Sequence, residues 1–138
     1  MKHIPRLSAA ALIVAGGLGC SEATSSDPGN QPGTAVVSMT SSNAADGAVS
    51  ITVRGPGLST AAATNSAYQV FSRMAGSTEL KVIVLGDAVR PGQLFTIPVG
   101  AINRLSAYSV QIEQVADQAD SLRLEVSSYK ASLAAERN

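Results

Sequence analysis

The chain reads as an all-β protein, an antiparallel two-sheet β-sandwich. Three observations predict it. Apolar residues recur at every second position in five separate runs, the period of a strand with one face in a core and the other in water. Turn signals break those runs at short intervals. No internal repeat and no coiled-coil heptad competes with that pattern.

Taken in chain order, residues 36–40 form a weak strand candidate. Val49, Ile51 and Val53 then alternate with Ser50, Thr52 and Arg54, the first clear half-buried strand. Residues 58–67 are rich in Ala and Thr and predict a loop or one helical turn. Residues 68–74 are a second weak strand. Residues 80–85 are almost wholly apolar, as in a central strand. Phe95, Ile97 and Val99 alternate with Leu94, Thr96 and Pro98, and Pro98 places that strand at an edge or near its end. Tyr108, Val110 and Ile112 alternate with Ser109, Gln111 and Glu113. Leu122, Leu124 and Val126 alternate with Arg123, Glu125 and Ser127, which predicts another strand with the leucines facing inward. Tyr129, Ala131 and Leu133 alternate with Lys130 and Ser132. Residues 132–138 are expected to fray or to form a short helix. Asp46-Gly47, Gly55-Pro56-Gly57, Ala75-Gly76-Ser77, Gly86-Asp87, Pro91-Gly92 and the polar stretch 116–120 are the separating turns. About eight short strands so divided suggest a sandwich.

Ahead of the sandwich lies an export pattern. Lys2 and Arg6 form a positive start, residues 7–18 an apolar stretch, and Gly17-Leu18-Gly19-Cys20 a small-residue end. That order matches a secretory signal, and the stretch is shorter than the roughly 20 residues a membrane-spanning helix needs. Residues 21–34 are mostly Ser, Thr, Pro, Gly and Asn. They have almost nothing to bury and predict a flexible linker. The expected organisation is a cleaved signal over 1–19, Cys20 with a disordered linker over 20–34, and the sandwich over 35–138.

The end of the signal resembles the lipobox of bacterial lipoproteins. Gly19 fits that pattern. Gly17 stands where Leu, Val or Ile is usual, and Leu18 is bulkier than the usual Ala or Ser. The resemblance implies acylation of Cys20 and a stable anchor, since each buried methylene contributes roughly 0.8 kcal/mol. Ser21, rather than Asp, after the cysteine implies sorting to the outer membrane.

A second resemblance concerns the sandwich. Leu80-Lys81-Val82-Ile83-Val84, Pro91-Gly92-Gln93-Leu94-Phe95-Thr96-Ile97-Pro98-Val99 and the last runs around an Asp-containing loop resemble the second half of a cohesin module. Those modules share a jelly-roll sandwich with a group of carbohydrate-binding modules. Ile51-Thr52-Val53-Arg54-Gly55-Pro56-Gly57-Leu58 is similar to the cohesin strand ending in Asp-Pro-x-x-Leu, with Gly55 in place of the Asp and one residue fewer. The resemblance implies the sandwich, and it transfers no binding residue.

Composition narrows the chemistry. Hydrophobic residues make up 45% of the chain and charged residues 14%, with zero formal net charge. Removing residues 1–19 leaves eight basic and ten acidic residues. No basic cluster suited to nucleic acid is present, and nothing attracts anionic headgroups. The lone histidine, His3, and the lone cysteine, Cys20, both lie outside the sandwich, and Trp is absent. The domain therefore has no disulfide, no His or Cys metal site and no imidazole for proton transfer.

Few motifs remain. Ser127-Ser128-Tyr129-Lys130 has the Ser-x-x-Lys order of penicillin-recognising enzymes but lacks their companion motifs. Asp117 and Asp120 with Glu113 could surround one loop, yet calcium needs six or more oxygens, and nothing sets two of these carboxylates across a cleft as in a glycosidase. Tyr68, Phe71, Phe95, Tyr108 and Tyr129 are all the aromatics, and most fall on the apolar phase. Phe71 is expected to point outward. The expectation is a non-enzymatic, cofactor-free envelope lipoprotein, held by its anchor at Cys20 and working through a protein partner. The alternative is a carbohydrate-binding module.

Overall fold

The computed structural model describes residues 29–137. Cys20 and the export segment lie outside the described residues. Among the described residues, eight strands form two antiparallel four-stranded sheets. They are β1 (Gly33–Thr40), β2 (Asp46–Arg54), β3 (Ala62–Ala63), β4 (Gln69–Met74), β5 (Glu79–Val89), β6 (Gly92–Val99), β7 (Ser109–Ala116) and β8 (Lys130–Ala135). One sheet runs β3-β6-β1-β8 and the other β4-β5-β2-β7. The all-β two-sheet sandwich is thus the fold.

The core lies between the sheets. Val37 and Met39 from β1, Val49, Ile51 and Val53 from β2, Leu80, Val82 and Val84 from β5, and Phe95 and Ile97 from β6 are all buried. Val49, Ile51 and Val53 hold the phase their alternation predicts. Burying each such side chain contributes roughly 1.5–3 kcal/mol, which offsets the entropy of ordering a domain without disulfides.

Departures from strict alternation have local causes. Leu94 falls on the polar phase of its run, yet it is buried beside Phe95. The register of β1 against β6 steps from Val37↔Phe95 to Ser38↔Gln93, so Leu94 is the extra residue of a bulge. A bulge turns two successive side chains to one face. The pairing of β2 with β7 steps likewise from Ser50↔Gln114 to Ile51↔Ile112, which carries the inward phase of β7 from Ile112 to Val115. Thr52 is buried on the outer face because the Lys81 ammonium lies over it and donates to its hydroxyl at 2.7 Å.

Several expectations are corrected. Residues 122–126 form no strand: only an isolated bridge, Ala116↔Leu122, pairs them. Over 122–124 the phase is inverted, with Leu122 62% and Leu124 100% exposed, whereas Val126 keeps its expected place against the core. The cause is the buried Asp46, whose carboxylate draws Arg123 inward and turns its two neighbours out. β8 continues to Ala135, so residues 132–135 neither fray nor form a helix. β5 is central, but its outer face is open and Ile83 is 45% exposed. Residues 58–67 contain the two-residue β3. A 3₁₀ segment, Ile102–Ala107, joins β6 to β7 and packs Ile102 and Leu105 on the core. β1 opens at Gly33, two residues ahead of the expected start at Ala35. Pro98 sits one residue from the end of β6, past the reach of β3, as its missing N–H demands.

The strand directions define two poles. The chain enters at Gly33, paired with Val99, and near it lie the turns after β2, β4 and β6. β1 ends at Thr40, paired with Lys130. At eight residues, β1 separates the poles by roughly 25 Å. The β1–β2, β5–β6 and β7–β8 connections share the far pole.

Tyr108 closes the entry pole. Its hydroxyl donates to the Pro56 carbonyl at 2.6 Å and accepts the Ala101 N–H at 3.0 Å. Its ring lies so close to Gly55, at φ 153°, that a Cβ there would stand 2.1 Å from the ring. Glycine at 55 is therefore required both for the backbone angle and for the space.

Candidate interaction surface

The far pole is built around Asp46, which is 0% exposed. A buried carboxylate must be paired and hydrogen-bonded. Arg123 donates from Nε to Asp46 Oδ1 at 2.6 Å, and the Tyr129 hydroxyl donates to Oδ2 at 2.8 Å. Asn43 Nδ2 in turn donates to the Tyr129 oxygen at 2.8 Å. These contacts tie the β1–β2 loop, the first residue of β2 and the β7–β8 connection together. They also strengthen the hold of Arg123 on its proton, chiefly through the bond to Asp46.

The connection is shaped at its start by Asp117. Its Oδ1 accepts the N–H groups of Ala119 at 2.9 Å and Ser121 at 3.0 Å. Those two bonds, the one from Ser121 foremost, hold the Asp117 carboxyl below its ordinary range. Asp120 takes a positive φ of 63° in the turn, a conformation Asp tolerates better than most residues. Gly47 passes underneath, where a Cβ would meet the Asp117 carbonyl at 2.6 Å. The Arg123 N–H then bonds the Val115 carbonyl at 2.8 Å. With Arg123 fixed inward at both backbone and side chain, Leu122 and Leu124 project from the pole.

Tyr129 sets an alkaline limit on this pole. Burial first, and then donation to Asp46, push its hydroxyl above the usual tyrosine value. A raised folded value means stability that is whole below the unfolded value and lost as pH rises through the folded one. The stability advantage of the parent over Tyr129→Phe should therefore shrink above about pH 10. Melting temperatures of the two proteins across that range measure it, and a constant difference would contradict it.

The outer face of the second sheet is the other notable surface. Phe71 and Ile83 are direct cross-strand neighbours, 57% and 45% exposed. Beside them Arg54 donates to Glu79 at 2.7 Å, and Lys81 lies 3.5 Å from Glu79 and 3.8 Å from Glu113. The bond from Arg54 holds the Glu79 carboxyl below its ordinary range.

The predicted candidates fall apart as a catalytic or metal set. Glu113 faces Lys81, whereas the Asp117 carboxylate is engaged by its own turn. Among the described residues, no three His, Cys, Asp or Glu side chains gather as metal ligands. Ser127 lies in a turn and donates to Glu125 at 3.1 Å, and Lys130 opens β8 on the exposed side. Tyr68 is half-buried and its oxygen accepts the Arg90 N–H at 3.1 Å. Phe95 and Tyr129 are buried, so Phe71 alone of the aromatics is exposed. Outside β1 and β6, Val36, Ser38, Gln93 and Thr96 line a hollow of about 440 Å³ together with the ion-forming side chains of Glu136 and Arg137. No helix among the described residues is long and apolar enough to cross a membrane.

Sequence reasoning missed Asp46, Asn43 and the role of Arg123. Asp46 stood only as a turn signal before Gly47. The available sign was Arg123 itself, a cation set between two leucines in an otherwise apolar alternation. Comparison with protein-family models, curated proteins and solved structures returned no match.

Proposed function

We propose that this chain is an exported, lipid-anchored β-sandwich that acts without enzymatic chemistry, presenting a leucine-bearing loop to a protein partner in the bacterial envelope. The observation that carries the reading is the pair Leu122 and Leu124, exposed at the pole opposite the point where the chain enters the sandwich. An anchor at Cys20, ahead of Gly33, would tether the sandwich at the opposite pole and leave the leucine pole free to meet a partner. Single exposed apolar residues are ordinary on any surface. Here two lie together on a loop whose backbone and cation are fixed in place, which favours a preformed contact over an incidental one.

The carbohydrate alternative retains one favourable observation, the exposed ring of Phe71. Sugar faces stack on paired or coplanar rings, and the three tyrosines are half-buried or buried with their oxygens hydrogen-bonded. The protein-contact reading is therefore preferred.

Two variants test it. Cys20→Ser should move the chain out of the membrane fraction, and retention equal to the parent would contradict the anchor. Leu122→Glu with Leu124→Glu should lose the partner captured by the parent from envelope extracts. Removing two apolar anchors worth roughly 1.5–3 kcal/mol each lowers affinity at least about a hundredfold. Equal capture by parent and variant would contradict the role of the loop.

A further inference from the structure

The second sheet ends at β4, which pairs with β5 on one side and with no described strand on the other. The segment before β3 reaches β4 at its inward side, where the Ala61 N–H donates to the Ser72 hydroxyl at 3.0 Å. Folded proteins block such edges with prolines, bulges, inward charges or covering loops, because an open edge templates pairing. β4 reads Gln-Val-Phe-Ser-Arg-Met. It has no proline, its register with β5 runs without a bulge, and its one charge, Arg73, lies on the exposed phase. Its exposed residues are also poorly matched within the chain. Arg73 stands directly opposite Lys81, a like charge, and no anion among the described residues bonds to it. Phe71 and Met74 are exposed.

We propose that a second copy of this chain pairs antiparallel along β4, with the two-fold axis at Ser72. Directly opposed residues of antiparallel strands share a face, so a two-fold axis normal to the sheet must pass through a residue and not between two. About Ser72, Phe71 of each copy lies opposite Arg73 of the other, and Val70 opposite Met74. The Arg73 guanidinium, with Lys81 still opposite it on β5, then gains an aromatic face on its other side, a cation–π contact made twice by symmetry. Met74 gains an apolar neighbour. No like charges are opposed across the join. An axis at Phe71 would instead set Arg73 against Gln69 and leave Met74 without Val70, so Ser72 is the better centre. The result is a closed isologous dimer with one continuous eight-stranded sheet. It uses β4, away from the leucine loop, and does not rest on the anchor.

The test uses two full-length variants, Phe71→Cys and Arg73→Cys, with different mass tags. They are co-expressed and oxidised in the lysate with copper-phenanthroline. Both positions are exposed, and circular dichroism verifies that each variant folds. The parent serves as the blank for its one cysteine, Cys20. The pairing predicts that the mixed disulfide, position 71 of one variant to position 73 of the other, exceeds either homodisulfide by about tenfold, the ratio set by a 1.4 kcal/mol preference. A predominant Phe71→Cys homodisulfide, an even distribution, cross-links only to other proteins, or no product above the blank would each overturn it.

Discussion

Asp46→Ala is expected to lower stability by about 3 kcal/mol, the lower end of what breaking a buried ion pair costs. The reason is geometric. Asp46 has no solvent contact, and its two oxygens accept from Arg123 and Tyr129. Its loss leaves the Tyr129 hydroxyl and a partly buried guanidinium without their acceptor, beside a small cavity. Urea unfolding measures the effect as a lowered midpoint at unchanged slope. A second variant separates charge from shape. Replacing both Asp46 and Arg123 by leucine should recover part of the loss, because an apolar pair of similar volume substitutes for a buried ion pair at little cost. A double variant less stable than Asp46→Ala would contradict this. The same single variant should weaken the leucine loop, since the carboxylate that draws the Arg123 side chain inward is then gone.

Phe95→Ala should have the largest effect of any single core truncation. Phe95 is fully buried and sits beside Leu94 at the bulge, opposite Val37 on one side and Ala63 on the other. Phe-to-Ala changes in cores cost about 3–5 kcal/mol, part transfer and part cavity. The two-residue β3 cannot close over the space left. In a domain of about 100 residues that loss lowers the melting temperature by roughly 20 °C. Small domains carry only about 5–15 kcal/mol in all, so the variant should also accumulate poorly. A fall of only about 5 °C would show that the inter-sheet space is filled differently.

The fold was legible in the sequence where one rule acted alone. Val49, Ile51 and Val53, or Ala131 and Leu133, alternate because each strand has one wet and one dry face, and both runs form the expected strands, with Tyr129 one residue ahead of β8. Legibility failed where two rules met. Leu94 reads as polar phase because a bulge cannot be seen without its partner strand. Residues 122–126 read as a strand with buried leucines, yet the inward residues are Arg123 and Val126, so the alternation fails there in period as well as in phase. The phase is set by Asp46, 77 residues away along the chain. A buried carboxylate outweighs two leucines there, since an unpaired charge costs several kcal/mol and an exposed leucine roughly 2 kcal/mol. The 3₁₀ segment escaped notice because Ile102 and Leu105 are only one turn apart, too short a stretch to display a period. Of the site itself, the outward turn of Phe71 was legible, and the leucine loop was legible only as its opposite.

The direct measurement is the thiol-labelling rate of Leu124→Cys in the native protein, read by mass spectrometry so that Cys20 is counted separately. With Arg123 held on Asp46, residue 124 faces water, and its thiol should react as fast as in the urea-unfolded chain. Protection by about tenfold or more, equivalent to 1.4 kcal/mol of closing, would mean that residues 122–126 pack their leucines inward. The surface on which the proposed function rests would then not exist.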